Sequence, residues 1–361
     1  MKNFILTSAL SALLSLPAVA AQSLSDSMDL NQYRTDVKTL ASDAFGGRAP
    51  LSEGEQLTIQ YLEKAFKEMG LKPGFGDSYL QAVPLAKITA DQNMQLDMGG
   101  LKFANGSEFT ARTQRISDKV SLSNSDVVFV GYGINAPEYG WNDYQGLDVK
   151  GKTVIVLVND PGFATQDPKV FKGNAMTYYG RWTYKYEEAA RQGAEAVFIV
   201  HETEPAAYGW GVVQNSNTGT KFTLIDANNN QGQVGVMGWV QHDVAKKIFA
   251  KAGMDFDTLK QQAAKPNFKA IPLKLKANVS LNNTIERAES HNVAALLPGK
   301  SRPDEVVMMH AHWDHLGTVI EDGKPEIING AVDNASGVAG VLALARYFAK
   351  QAKTAPLERS I

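Results

Sequence analysis

Apolar and polar positions fall into three textures along the chain. Between Glu55 and Met69, the residues Leu57, Tyr61, Leu62, Ala65, Phe66 and Met69 recur at helical spacing. Gly70 stops the run and Pro73 lies beyond it, so a helix is predicted there. The whole stretch 29–70 reads as helical, broken by the loop Gly46-Gly47-Arg48-Ala49-Pro50. Arg48 in that loop is either a surface charge or a loop anchor. From about residue 85, short β-rich runs alternate with Gly and Asn turns: Val127–Val130, Thr153–Val158, Ala196–Val200 and Gln233–Val240. One helix is predicted near Tyr184–Gln192, and 203–232, rich in Asn, Gly, Thr and Gln, reads as loop. After residue 285 the pattern predicts short strands at Val293–Leu297 and Val306–Met309, then a helix over Val338–Ala352. The expectation is an α/β fold interrupted by a β-rich insertion from roughly 110 to 285.

The first residues have a different character. Lys2 precedes an apolar run from Phe4 to Leu16, Pro17 breaks it, and Ala18-Val19-Ala20 follows. That order is the pattern of a secretory leader, and the run is too short for a membrane span. The chain is therefore expected to be exported, to a periplasm or to the medium, and to have no membrane contact once residues 1–20 are removed.

Composition narrows the chemistry. The 361 residues include no Cys, so disulfides, thiolate zinc sites and Cys nucleophiles are excluded. A metal would have to be held by carboxylates and the six His. The net charge of -2 gives no electrostatic case for nucleic acid.

Three motifs compete. Gly146-Leu147-Asp148-Val149-Lys150-Gly151-Lys152-Thr153 matches the phosphate-loop pattern by letter. A phosphate loop needs a strand before it and a helix after it. Here a turn precedes and a strand follows, so it reads as a chance match. The second motif is His310-Ala311-His312-Trp313-Asp314-His315-Leu316-Gly317, a dense cluster of metal-ligating side chains at a strand end. The third is Gly330-Ala331-Val332-Asp333-Asn334-Ala335-Ser336-Gly337, entering a helix that Asn334 or Ser336 would cap. Ligands collect at the carboxyl ends of strands in α/β sheets, which makes His312 and Asp333 expected neighbours.

The His cluster alone resembles the metallo-β-lactamase superfamily, in which His310, His312, Asp314 and His315 would be ligands. The wider sequence more closely resembles the M28 family of zinc peptidases. Gly47-Arg48-Ala49-Pro50 with Gly54-Glu55, Asn292 to Gly299, Ala311 to Gly317 and Gly330 to Gly337 resemble its segments in order. The middle segment resembles a protease-associated (PA) domain, through Gly131-Tyr132-Gly133, Gly151-Lys152 and Ala189 to Ala194.

The resemblance implies an α/β zinc-peptidase (phosphorylase/hydrolase-like) mixed sheet, incomplete, with an inserted β-rich PA domain. Its boundaries would be 1–20 for the leader, 21–110 for the first peptidase part, 111–285 for the insertion and 286–361 for the start of the catalytic domain. It implies two zinc ions, His312 as a ligand, Asp333 as the bridging carboxylate and Asp314 as the carboxylate that orients His312. Peptides would be the substrates, cleaved at the N-terminal residue. A Glu-Glu pair, a later Asp and a late His complete the family's site. The only adjacent Glu pair here, Glu187-Glu188, reads as a solvated helix face. The chain is therefore expected to be a C-terminally truncated fragment, inactive alone. A one-zinc cyclising transferase and a non-catalytic PA-domain binding protein are the remaining readings.

Overall fold

The computed structural model describes residues 28–321 and 324–361; the expected leader at 1–20 lies outside the described residues. The principal elements are α1 (Leu30–Leu40), α2 (Glu53–Glu68), β1 (Leu80–Ala90), β2 (Gln95–Met98), β3 (Phe109–Arg112), β4 (Lys119–Phe129), β5 (Thr153–Leu157), α3 (Trp182–Arg191), β6 (Ala196–His201), β7 (Thr220–Leu224), β8 (Val236–Gln241), α4 (His242–Lys251), β9 (Ile271–Val293), β10 (Arg302–Val306), β11 (Gly317–Glu321), β12 (Lys324–Ile328), α5 (Ser336–Gln351) and β13 (Arg359–Ser360). The chain divides into two compact units, one made of residues up to Ala82 with His291–Ile361, the other of Val83–Ser290. Among the described residues, no helix is long and apolar enough to cross a membrane.

The Val83–Ser290 unit is a mixed α/β layer structure. Its sheet runs in the order β7-β1-β9-β4-β5-β6-β8-β3. The strands β4, β5, β6 and β8 are mutually parallel, and antiparallel strands flank them. Every residue of β5 and β6 is buried, which is why these runs are continuously apolar rather than alternating. Helix α3 connects β5 to β6 as the crossover that parallel pairing requires.

This unit corrects three sequence expectations. It begins near Val83 rather than at 111, because β2 pairs with β9 in the same sheet. It is not simply β-rich, since α4 and a further helix at Phe256–Ala263 were not anticipated. The stretch 203–232 is not all loop, since it holds helices at Thr203–Ala206 and Trp210–Asn217 and the edge strand β7. The phosphate-loop letters lead into β5 with no helix after them.

In the other unit, Asp29 caps α1 by accepting from the N–H groups of Asn31 and Gln32 at 3.0 Å. The Ser52 hydroxyl caps α2 through the Glu55 N–H. The apolar stripes of α2 and α5 meet in a small core that includes Leu40, Leu62, Phe66, Val338 and Leu342. Asp36, fully buried, accepts from the Arg346 guanidinium at 2.6 Å and the Tyr61 hydroxyl at 2.6 Å, and so ties α1 to α2 and α5. Strand β10 pairs in parallel with β13. The expected strand at Val306–Met309 is displaced: the ladder stops at Val306 because its partner, β13, is two residues long.

Candidate metal centre

Residues 307–316, which carry the His cluster, have no regular secondary structure. The hairpin β11–β12 follows, pairing Gly317 with Ile328, and then the loop leading into α5. The two chemically dense loops thus leave the same end of one hairpin. Gly330 makes their approach possible: it sits at φ +60°, and a Cβ there would meet the His315 ring at 2.5 Å. Asn334 Oδ1 accepts from the Gly337 N–H at 3.1 Å and caps α5, and the Asp333–Asn334 peptide is cis.

His312 Nε2 lies 3.1 Å from Asp333 Oδ1. Both side chains are open to solvent, at 54% and 70% exposure. His312 Nδ1 donates to the Asp314 backbone carbonyl at 3.0 Å, which orients the ring with Nε2 toward Asp333. The Asp314 carboxylate stands farther away, at 3.5 Å from Nδ1. A neutral imidazole nitrogen and a carboxylate oxygen are a suitable donor pair for zinc. Two ligands at ordinary zinc distances in tetrahedral array stand about 3.3 Å apart. The pair therefore fits a cation by donor type and separation. Zinc sites need at least three protein ligands, and among the described residues no group of three or more His, Asp or Glu converges. The four-ligand set His310, His312, Asp314 and His315 is thus not assembled, because His312 turns to Asp333 instead.

Arg48 is not a surface charge. It is 1% exposed. Its Nε donates to Trp313 O at 2.9 Å, one terminal nitrogen to Asn329 O at 2.7 Å and to Leu40 O, and the other to Gly330 O at 2.9 Å. Glu188 is also no solvated face: it is 5% exposed and binds Arg191 Nε and Gln192 Nε2 at 2.8 Å each. An apolar cleft of about 700 Å³ reaches His312, with Phe66, Leu71, Leu296, Val341 and Phe348 in its wall.

In the Val83–Ser290 unit, a second cavity of about 700 Å³ opens at the carboxyl ends of β5, β6 and β8. Its polar groups are largely engaged. Lys260 binds Glu202, and Asp160 accepts from Gly162 N–H and from Thr177 N–H and Oγ1–H at 2.7–3.0 Å.

The sequence model of Peptidase family M28 matches residues 292–361, the stretch that holds both halves of the pair. This stretch is about a fifth of the chain. No curated protein matches the chain. Among solved structures, it is similar to an aminopeptidase from Aneurinibacillus sp. strain AM-1, at 20% identity and TM-score 0.46, over 93% of this chain and 61% of that one. It is also similar to BSAP, a zinc aminopeptidase from Bacillus subtilis, at 16% identity and TM-score 0.38, over 92% and 60%. The chain thus spans about three fifths of the length of these structures. In the M28 segment, Asp333 and His312 are presented by the loops on either side of one hairpin.

Proposed function

We propose that the chain is part of an exported zinc-dependent peptidase, an aminopeptidase acting on the N-terminal residue of peptides. The convergence of His312 Nε2 and Asp333 Oδ1 at 3.1 Å within the M28 segment carries this reading. These two side chains would hold zinc, with Asp333 shared between two ions as the family resemblance implies. When bound, zinc supplies Lewis acidity toward a peptide carbonyl and lowers the pKa of water. The residues of this chain hold and orient. The Asp314 carbonyl holds Nδ1 of His312 and so orients the ring that would present Nε2 to the metal, and Asp333 contributes the negative charge that favours a cation.

A two-ligand site binds metal weakly, so this chain alone should show weak zinc binding and no turnover. Zinc titration with an amino-acid p-nitroanilide assay tests this. Micromolar or tighter binding with turnover would overturn the reading of His312 and Asp333 as a two-ligand site. For the whole protein, hydrolysis should require a free substrate amine and vanish in His312→Ala; activity that survives that change sinks the peptidase reading. The leader-like pattern at 1–20 supports export, and mature protein recovered outside the cytoplasm should begin at Ala21. The PA-like resemblance of the Val83–Ser290 unit supports a docking or covering role for it. Its cavity at the strand ends favours binding over chemistry, because the polar groups there are already paired.

A further inference from the structure

The β11–β12 hairpin fixes only the bases of the two ligand loops. His312 stands five positions before Gly317 and Asp333 five positions after Ile328, the residues paired at its open end. Between each base and its ligand, one side chain crosses from loop to loop. Arg48, from the N-terminal part of the chain, binds Trp313 O next to His312, and Asn329 O and Gly330 O on the approach to Asp333. Its own carbonyl accepts from the His315 N–H at 3.1 Å, so the His loop is held on both sides of Asp314. All the hydrogen-bond acceptors of the guanidinium found here are backbone carbonyls, whose positions it therefore sets. The planar fork of Arg suits this, because its donors leave in fixed, diverging directions from one rigid group. Arg48 also sits at φ +52°, a left-handed conformation that costs a non-glycine residue about 1 kcal/mol or more. Such a conformation persists where surrounding contacts over-determine it.

We propose that Arg48 is the positioning residue of the metal pair: it clamps the loop of His312 to the loop of Asp333 and so sets the separation of Nε2 and Oδ1. This rests on the metal-binding reading of that pair. The proposal opposes a purely electrostatic role in a definite way. A buried cation beside a cation site repels the metal, so removing the charge alone would tighten zinc binding. Removing the clamp weakens it.

Zinc titration of the described chain, followed on the imidazole 15N resonances, tests this even where binding is weak. In the unaltered protein the His312 signals should move with Zn(II) while those of His310 and His315 do not; no response up to millimolar zinc overturns the metal reading itself. Arg48→Lys keeps the charge and Arg48→Gln removes it. With native far-UV circular dichroism, both should bind zinc about tenfold more weakly, the usual scale for loss of a supporting contact. Unchanged affinity in both, or tighter binding in Arg48→Gln, overturns the clamp and leaves the metal reading standing. A merely structural role lowers the melting temperature without moving the His312 titration. If neither variant folds, hydrogen exchange of the unaltered protein decides. Segments 45–50, 310–316 and 329–335 should open together; separate opening rates overturn the proposal.

Discussion

Two parallel strands in this molecule show what neighbours do for an apolar run. Strand β5 lies between β4 and β6, and all five of its residues are buried. Strand β10 pairs with β13 alone, and the residues that end it or follow it stand in water: Val306 at 56% exposure, Val307 at 47% and Met308 at 78%. Val154-Ile155-Val156-Leu157 in β5 and Val306-Val307-Met308-Met309, which ends and follows β10, look alike as letters. The sheet around them differs, and so does the energy of each residue. The covered region has a finished core, while the region with His312 and Asp333 keeps apolar surface and both of those side chains exposed. Patches of this kind mark an interaction surface or an aggregation hazard.

The largest expected effect lies in the finished region. Lys185 is fully buried, and its Nζ donates to the carbonyls of Tyr132, Asn159 and Tyr179 at 2.7–2.8 Å. Burial pulls its pKa down, yet three carbonyl acceptors use all three ammonium protons, which favours the charged form. Lys185→Met would orphan three carbonyls at about 1–3 kcal/mol each, partly offset by no longer burying a charge. A loss on the order of 4 kcal/mol is expected in urea unfolding. A change below about 1 kcal/mol would mean the lysine is not what holds those strand ends.

Next comes a direct contrast between the two strands. Ile155→Ala removes a fully buried side chain from β5 and should cost about 3 kcal/mol. Val306→Ala, at the end of β10, should stay within about 0.5 kcal/mol. Equal costs would erase the distinction between the regions.

How much of this was legible in the letters depends on whether side chains or backbone carry the signal. The stripes of α2 and α5 and the buried runs of β5 and β6 could be read directly, since burial on one or both faces dictates apolar spacing. Helix α4 was missed although Val244, Ala245, Ile248 and Phe249 keep helical spacing, because the run is short and follows a strand without a break. Strand β7 was missed because it is an edge, half exposed and polar, paired only with β1. The proximity of His312 and Asp333 was inferred from strand-end logic, but the hairpin that brings their loops together lies in neither motif. Arg48 could not be settled, because its acceptors are carbonyls, which every residue has.

A pH experiment probes the finished region again. Burial pushes the Asp143 carboxyl up to about 7, against hydrogen bonds from the Ile134 N–H and Trp141 Nε1–H. Its folded pKa thus lies above the unfolded one. From about pH 4 to 7, the folded protein holds a proton that the unfolded chain has released. The resulting stabilisation is complete below the unfolded value and is lost as pH rises through about 7. The stability difference between the unaltered protein and Asp143→Asn should therefore shift against the unaltered protein as pH goes from 4 to 8. A difference that stays flat would show that Asp143 remains ionised in the fold.

The smallest change in folding energy should come from Met308→Ser. The side chain is already 78% exposed, so folding buries little of it and unfolding should move by no more than about 0.5 kcal/mol. Its effect should appear between molecules instead. Met308 and Val306 both border the apolar cleft that reaches His312, and a polar residue there reduces the area available for association. Sedimentation at rising concentration should show less self-association in Met308→Ser than in the unaltered chain, while Ile155→Ala should associate more, through unfolding. If Met308→Ser unfolds as Ile155→Ala does, the strand end is part of a core after all, and the contrast between the two regions fails at the residue where it is sharpest.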